Sequence, residues 1–293
     1  MAARWKEWAG RLARPGGAGC AGRALLLAGA LALPVAPVFL PTPAPLPQGV
    51  EIAPEALRRL LLLALLQSLA LAFLALACAR FDGRGLRAGL GLRRGRLGPA
   101  DVGLLILGMA ALSHGLDRAL ALAAPEPGAS LSLLNELLRA ARDGGGETVA
   151  LAVLAIGIAP GVCEELLFRG ALQRWLQRKL AAQGGRGAAG LAVVCSAAVF
   201  GALHWDPIHA PLAFLLGLYL GVAALLSGEV WTPIACHMAN NLLAVAAGLW
   251  LPSALPAAAP PAESASALAA ACSFLLCIAC LVWVMRRARP TSR

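Results

Sequence analysis

Charge is scarce in this chain. Only 14% of its 293 residues are Asp, Glu, Lys or Arg, and 59% are hydrophobic. A soluble domain carries about a quarter charged residues and is nearer half apolar. With a mean hydropathy of +0.74, this excludes a pair of soluble domains and leaves one polytopic membrane protein. Lysine is almost missing: 23 of the 25 basic residues are arginine. That bias, with abundant Ala, Gly and Leu, is a coding signature that suggests a GC-rich bacterial genome. A disulfide framework is lacking too. Most of the 8 cysteines lie inside apolar runs, where they read as small buried hydrophobes. No GxSxG nucleophile motif is present, and neither Ser196 nor Ser227 has suggestive neighbours. No inverted repeat of the kind common in transporters is visible.

The formal net charge of +10 would point to nucleic acid in a soluble protein. Here the positive charge is confined to loops and tails, so the expected partner is the lipid bilayer and no nucleic acid. Apolar runs fall at about 24–40, 56–79, 102–124, 148–160, 188–203, 211–226, 230–249 and 266–285. The expected fold is therefore all-α, a polytopic membrane helical bundle of about eight transmembrane helices. The N-terminal segment, the 80–96 loop, the 174–186 loop and the tail hold 19 of the 25 basic residues. The positive-inside rule then places both termini in the cytoplasm. The first run resembles a signal peptide at Ala28-Gly29-Ala30, but it continues past that point and is read as a retained helix. Residues 131–141 read as a short amphipathic helix. His114, Asp117 and Arg118 put a polar face on the third span, expected to point into the bundle.

The stretch Glu164-Glu165-Leu166-Leu167-Phe168-Arg169 continues the fourth apolar run. Ionised groups at membrane depth cost roughly 3 kcal/mol each, so they mark function. On a helix Glu165 and Arg169 are four apart and can pair, while Glu164 is turned about 100° away. An ion pair that merely ends a helix is the plainer alternative. The chain has four histidines. His204 ends the fifth span, four residues after Phe200. His237 shares a face of the seventh with Asn241. A single membrane histidine or asparagine is often interhelical glue, and His209, between two prolines, reads as interfacial. The coincidence of such residues on three helices favours chemistry. A carboxylate and an imidazole can deprotonate water and then protonate a leaving amine. A second imidazole and an amide can hydrogen-bond an oxyanion. Equally, Glu164, His204 and His237 are a set that could ligate Zn²⁺.

The order Glu-Glu-x-x-x-Arg, Phe-x-x-x-His and His-x-x-x-Asn resembles the CAAX-protease and bacteriocin-processing family of intramembrane endopeptidases, which includes the type II CAAX prenyl endopeptidase. The resemblance covers about 148–249. It divides the chain into membrane helices without a matched motif (1–145), a protease core (146–250), and a last helix with a basic tail (251–293). It implies that Glu164 activates water beside His204, that His237 and Asn241 stabilise the oxyanion, and that Glu165 and Arg169 hold the site together. An amide at Asn241 suits a hydrogen-bond donor better than a zinc ligand, so the metal-free version is preferred. The expected substrate is a membrane-anchored or lipidated protein or peptide, and the expected location a bacterial cytoplasmic membrane. The alternatives are a zinc-dependent version of the same protease, a non-enzymatic scaffold of the same fold, and a transporter with a Glu/His proton relay.

Overall fold

A computed structural model describes residues 52–123, 129–183, 187–204, 206–251 and 263–288. The expected first span at 24–40, the Pro-rich loop after it, Trp205 and the 252–261 loop lie outside these residues. Nine helices are described: α1 (Pro54–Phe81), α2 (Leu86–Leu90), α3 (Pro99–Ala123), α4 (Ala129–Asp143), α5 (Gly146–Ala182), α6 (Ala188–Ala202), α7 (His209–Ser227), α8 (Trp231–Trp250) and α9 (Glu263–Arg287). There is no strand among the described residues.

Five helices, α1, α3, α5, α7 and α9, are long and apolar enough to cross a membrane. The expected fifth and seventh spans are helices, but they fall short of that measure for different reasons. With 15 residues, α6 rises only about 22 Å against a hydrocarbon core of about 30 Å. The 20-residue α8 is long enough but is diluted by His237, Asn240 and Asn241. The amphipathic helix expected at 131–141 is α4. Large apolar side chains face outward on the membrane-length helices, among them Leu62, Leu66 and Phe73 of α1 and Leu275 and Ile278 of α9. That surface fits acyl chains and not water.

Local chemistry sets the ends. Pro54 opens α1 where its missing N–H costs nothing, with Glu55 in the first turn and Arg80 in the last to complement the helix dipole. Gly228 closes α7 at φ 74°, a left-handed cap that suits glycine. Asp206 accepts hydrogen bonds from the Ile208 and His209 amides just before α7. Glu229 does the same for Trp231 and Thr232 at the start of α8.

One cluster of buried residues joins α1 (Leu71, Leu74, Ala75) to α5 (Leu167, Phe168, Leu172) and to Phe200 of α6. A second joins α3, α7, α9 and Cys236 of α8. In it the Tyr219 hydroxyl donates to the Leu105 carbonyl at 2.7 Å. Cys277 and Cys280, spaced as C-x-x-C on α9, are buried in that seam, and no disulfide is formed among the described residues. The polar face of α3 departs from expectation. His114 and Asp117 are exposed, and His114 Nδ1 lies 3.0 Å from the Ser273 hydroxyl of α9. Glycine at 115 brings Phe274 of α9 against the inner side, so the polar residues take the flank of the α3–α9 pair.

Candidate active site

The Glu-Glu pair lies on α5 between two π-helical segments, Val153–Ile158 and Leu166–Gln173. Such wide turns recur at functional positions because they re-aim side chains within one continuous helix. Pro160 supplies a local cause for the irregularity. It has no N–H, so the Ile156 carbonyl loses its ordinary α-helical donor. Asn241 of α8 donates from Nδ2 to that carbonyl at 3.4 Å.

Glycines then bring the helices close. Any Cβ on Gly161 would lie 2.8 Å from the backbone of Met238, and one on Gly157 would lie 2.7 Å from the Leu242 side chain. This Gly-x-x-x-Gly face seats α5 on α8, where small residues let backbones approach. One turn beyond Gly161, Glu165 meets His237. On the other side, Arg169 Nη2 donates to the Gly217 carbonyl of α7 at 2.9 Å. Gln173 Nε2 donates to the Gly221 carbonyl at 3.0 Å. Two side chains four apart on α5 thus bond two glycine carbonyls four apart on α7.

The centre is a buried ion pair. Arg169 Nη1 donates to Glu165 Oε1 at 2.7 Å, and the two side chains are 1% and 0% exposed. The guanidinium lies 4.6 Å from the Phe200 ring centroid and 5.8 Å from that of Phe168, so aromatic faces share its charge. His237 Nδ1 is 2.8 Å from the same Glu165 oxygen. A carboxylate in an ion pair only accepts, so His237 Nδ1 carries a proton. Likewise His204 Nδ1 is 2.8 Å from the Phe200 carbonyl. A carbonyl also only accepts, which leaves Nε2 of neutral His204 with a free lone pair. Phe200 packs edge-on against both imidazoles, with centroids 4.9 Å and 5.9 Å away.

The structure therefore joins Glu165, Arg169 and His237 by direct bonds and links His204 to them through Phe200. Glu164 lies within electrostatic reach of His237, Glu165 and Arg169. Its Oε2 is buried without a hydrogen-bond partner. Asn241 faces α5, with its amide on the Ile156 carbonyl. No cluster of three His, Cys, Asp or Glu side chains fit to hold a metal occurs among the described residues.

Three contributors escaped the sequence reading. Gln173 extends the Glu165–Arg169 face by one more turn, and that periodicity was the available signal. Gly217 and Gly221 form a Gly-x-x-x-Gly pair on α7. His209 stacks on His204, with centroids 4.9 Å apart and planes 9° from parallel. No sequence pattern marked that stacking, because the bend between α6 and α7 creates it.

Residues 146–243 match the family model described as Rce1-like: type II CAAX prenyl endopeptidase Rce1-like. This segment is CAAX-protease-like. The match runs from the start of α5 into α8, roughly a third of the chain, and contains all six residues of the candidate site. No curated protein and no solved structure matches the chain. The CAAX-protease-like match and the five apolar helices make this an integral membrane protein whose core resembles a protease.

Proposed function

We propose that this chain is an intramembrane endopeptidase. It hydrolyses a peptide bond near the membrane-anchored or lipidated end of a protein or peptide, in a bacterial cytoplasmic membrane. The observation that carries this reading is the unspent buried oxygen of Glu164, within electrostatic reach of His237, whose Nδ1 is already committed to Glu165. A buried acceptor left unpaired costs about 1–3 kcal/mol. A water held there relieves that cost and is positioned to react.

In this mechanism Glu164 takes a proton from the water, with the His204 Nε2 lone pair orienting it, and the water oxygen attacks the peptide carbonyl carbon. The carbonyl π pair moves to oxygen. The resulting oxyanion accepts hydrogen bonds from Nε2–H of His237, which carries a proton on both ring nitrogens for this step, and from the second Nδ2–H of Asn241. The C–N bond then breaks, and the proton held by Glu164 passes to the leaving amine. Glu165, Arg169, Gln173 and Phe200 are positioning residues. They hold the imidazoles and α7 in place.

The test compares protein termini in membranes carrying wild type or Glu164→Ala at equal expression, by mass spectrometry of N- and C-terminal peptides. A set of processed termini should vanish in the variant, and turnover of any substrate so found should fall by about 10²–10⁴-fold. Identical lists would overturn the protease reading. Chelator treatment of the purified protein should leave cleavage intact. Loss of cleavage that added Zn²⁺ restores would overturn the metal-free mechanism.

A further inference from the structure

The arginine-rich loop between α1 and α3 folds back on the end of α5 and leaves a cavity of about 630 Å³. Its walls are Arg84, Arg87 and Arg93 from the loop and Arg174 and Arg178 from α5, with Leu92 between them. Five guanidinium groups thus face one hollow, and the carboxylates near it are already engaged. Asp82 pairs with Arg178 at 2.9 Å and reaches Arg84 at 3.7 Å. Glu229 spends its oxygens on the Trp231 and Thr232 amides and the Thr232 hydroxyl. Arg93 and Arg174 make no ion pair with a carboxylate among the described residues, and Glu229 lies within electrostatic reach of Arg174. Both arginines donate to one carbonyl, that of Gly228, at 3.0 Å and 2.9 Å. The Arg87 side chain has no hydrogen-bonding or ionic partner among the described residues.

Like charges crowded this way call for an anion from outside the chain. The place says which one. The cavity lies at the end of the bundle where α1 and α5 leave their apolar stretches, and the adjoining Phe81 and Leu86 are exposed, at 58% and 42%. Apolar surface beside clustered arginine matches an acyl chain beside a phosphate, because guanidinium binds phosphate oxygens in pairs. Basic pockets between membrane helices take anionic headgroups in this way.

We infer that the cavity bounded by Arg84, Arg87, Arg93, Arg174 and Arg178 binds the phosphate headgroup of an anionic phospholipid. The lipid fixes the 82–98 loop against α5 and the α7–α8 turn. Arg174 directly follows Gln173 on the same helix, and Arg178 lies about one and a half turns beyond it. The headgroup therefore braces the end of the segment that carries the Glu-Glu pair. The site stands apart from the proposed catalysis, so either assignment can fail alone.

The test uses delipidated full-length protein in neutral detergent. Short-chain phosphatidylglycerol and phosphatidylcholine are the probes, read by native mass spectrometry and by thermal shift. Phosphatidylglycerol should bind more tightly and raise the melting temperature. Removing one arginine should weaken it about fivefold, and removing two about 25-fold. Arg87→Gln and the Arg84→Gln/Arg87→Gln pair are the variants, since neither residue holds the Gly228 carbonyl. Both should melt like wild type without lipid. Should the pair fail to fold, Arg87→Gln alone decides. Equal affinity for the two lipids, or unchanged phosphatidylglycerol binding in Arg87→Gln, would overturn the site. Displacement of the lipid by millimolar inorganic phosphate, with the same thermal shift from phosphate alone, would overturn the lipid in favour of a free phosphate ion.

Discussion

Arg169 and Arg174 stand five residues apart on α5 in opposite electrostatic surroundings. Arg169 is buried against one carboxylate, one glycine carbonyl and two aromatic faces, so its charge is balanced within the fold. Arg174 looks toward three guanidinium groups, Arg93, Arg178 and Arg96, against the single carboxylate of Glu229, and its hydrogen bond goes to a carbonyl that a second guanidinium already shares. The contrast separates two uses of charge in one membrane helix. A balanced charge fixes geometry, because every partner is inside and nothing is left to exchange with solvent or lipid. A surplus charge recruits, because its counter-ion must come from elsewhere. The buried end of α5 is therefore where chemistry can be held steady, and the arginine-rich end is where the environment can act on it.

Removing the balance should have the largest effect on stability. Glu165→Ala leaves Arg169, 1% exposed, without its hydrogen-bonded carboxylate, and breaking a buried pair costs about 3–5 kcal/mol. The unfolding free energy in bicelles should fall by that amount, and His237 should lose its orienting acceptor at the same time. Pairing Glu165→Ala with Arg169→Met should recover part of the loss, since the orphaned charge is gone. Glu164→Gln, one residue away, should cost little stability and most of the activity. If Glu165→Ala stayed within about 1 kcal/mol of wild type, the guanidinium would be finding water, and the balanced-charge picture would fail.

Much of this was legible beforehand. The helix-period spacing of Glu165 and Arg169 predicts their ion pair, and the apolar runs predict six of the helices at nearly their observed limits, while the run at 148–160 marks only the first part of α5. The six residues that the motifs single out all lie where α5, α6 and α8 converge. What the sequence hid has physical reasons. The second partner of Glu165, His237, lies 72 positions away on another helix, and periodicity says nothing about which helices meet. The π-turns of α5 arise from a proline and from packing that no propensity scale reports. On α3 the polar face was read as inward because charge in a span usually faces protein. Here Gly115 gives that inner side to Phe274.

The next effect in size tests how the balanced region is assembled. Gly161→Ala would place a Cβ 2.8 Å from the Met238 backbone, so α5 and α8 must separate. Overpacking of that kind costs about 1–3 kcal/mol. The displacement also pulls Glu165 from His237, so activity should fall by more than stability does. A matched change at Gly103 of α3, where a Cβ meets nothing within 4 Å, should leave both intact. Equal behaviour of the two substitutions would mean that the close approach of α5 to α8 does not set the site.

The smallest effect sharpens the contrast most. Arg58 and Glu147 pair at 2.6 Å, as short as the 2.7 Å of Arg169 and Glu165, but their side chains are 52% and 78% exposed. If distance alone set the energy, the two pairs would be equivalent. In water the Coulomb gain is screened and two long side chains must be immobilised, so Arg58→Ala should cost only about 0.2–1 kcal/mol. Added salt should shrink that difference further, because exposed charges feel the ionic atmosphere. The loss in Glu165→Ala should be nearly the same at low and high salt, since no ion reaches a pair at 1% and 0% exposure. Measuring both variants across one salt series therefore distinguishes a pair that shapes the molecule from one that decorates it.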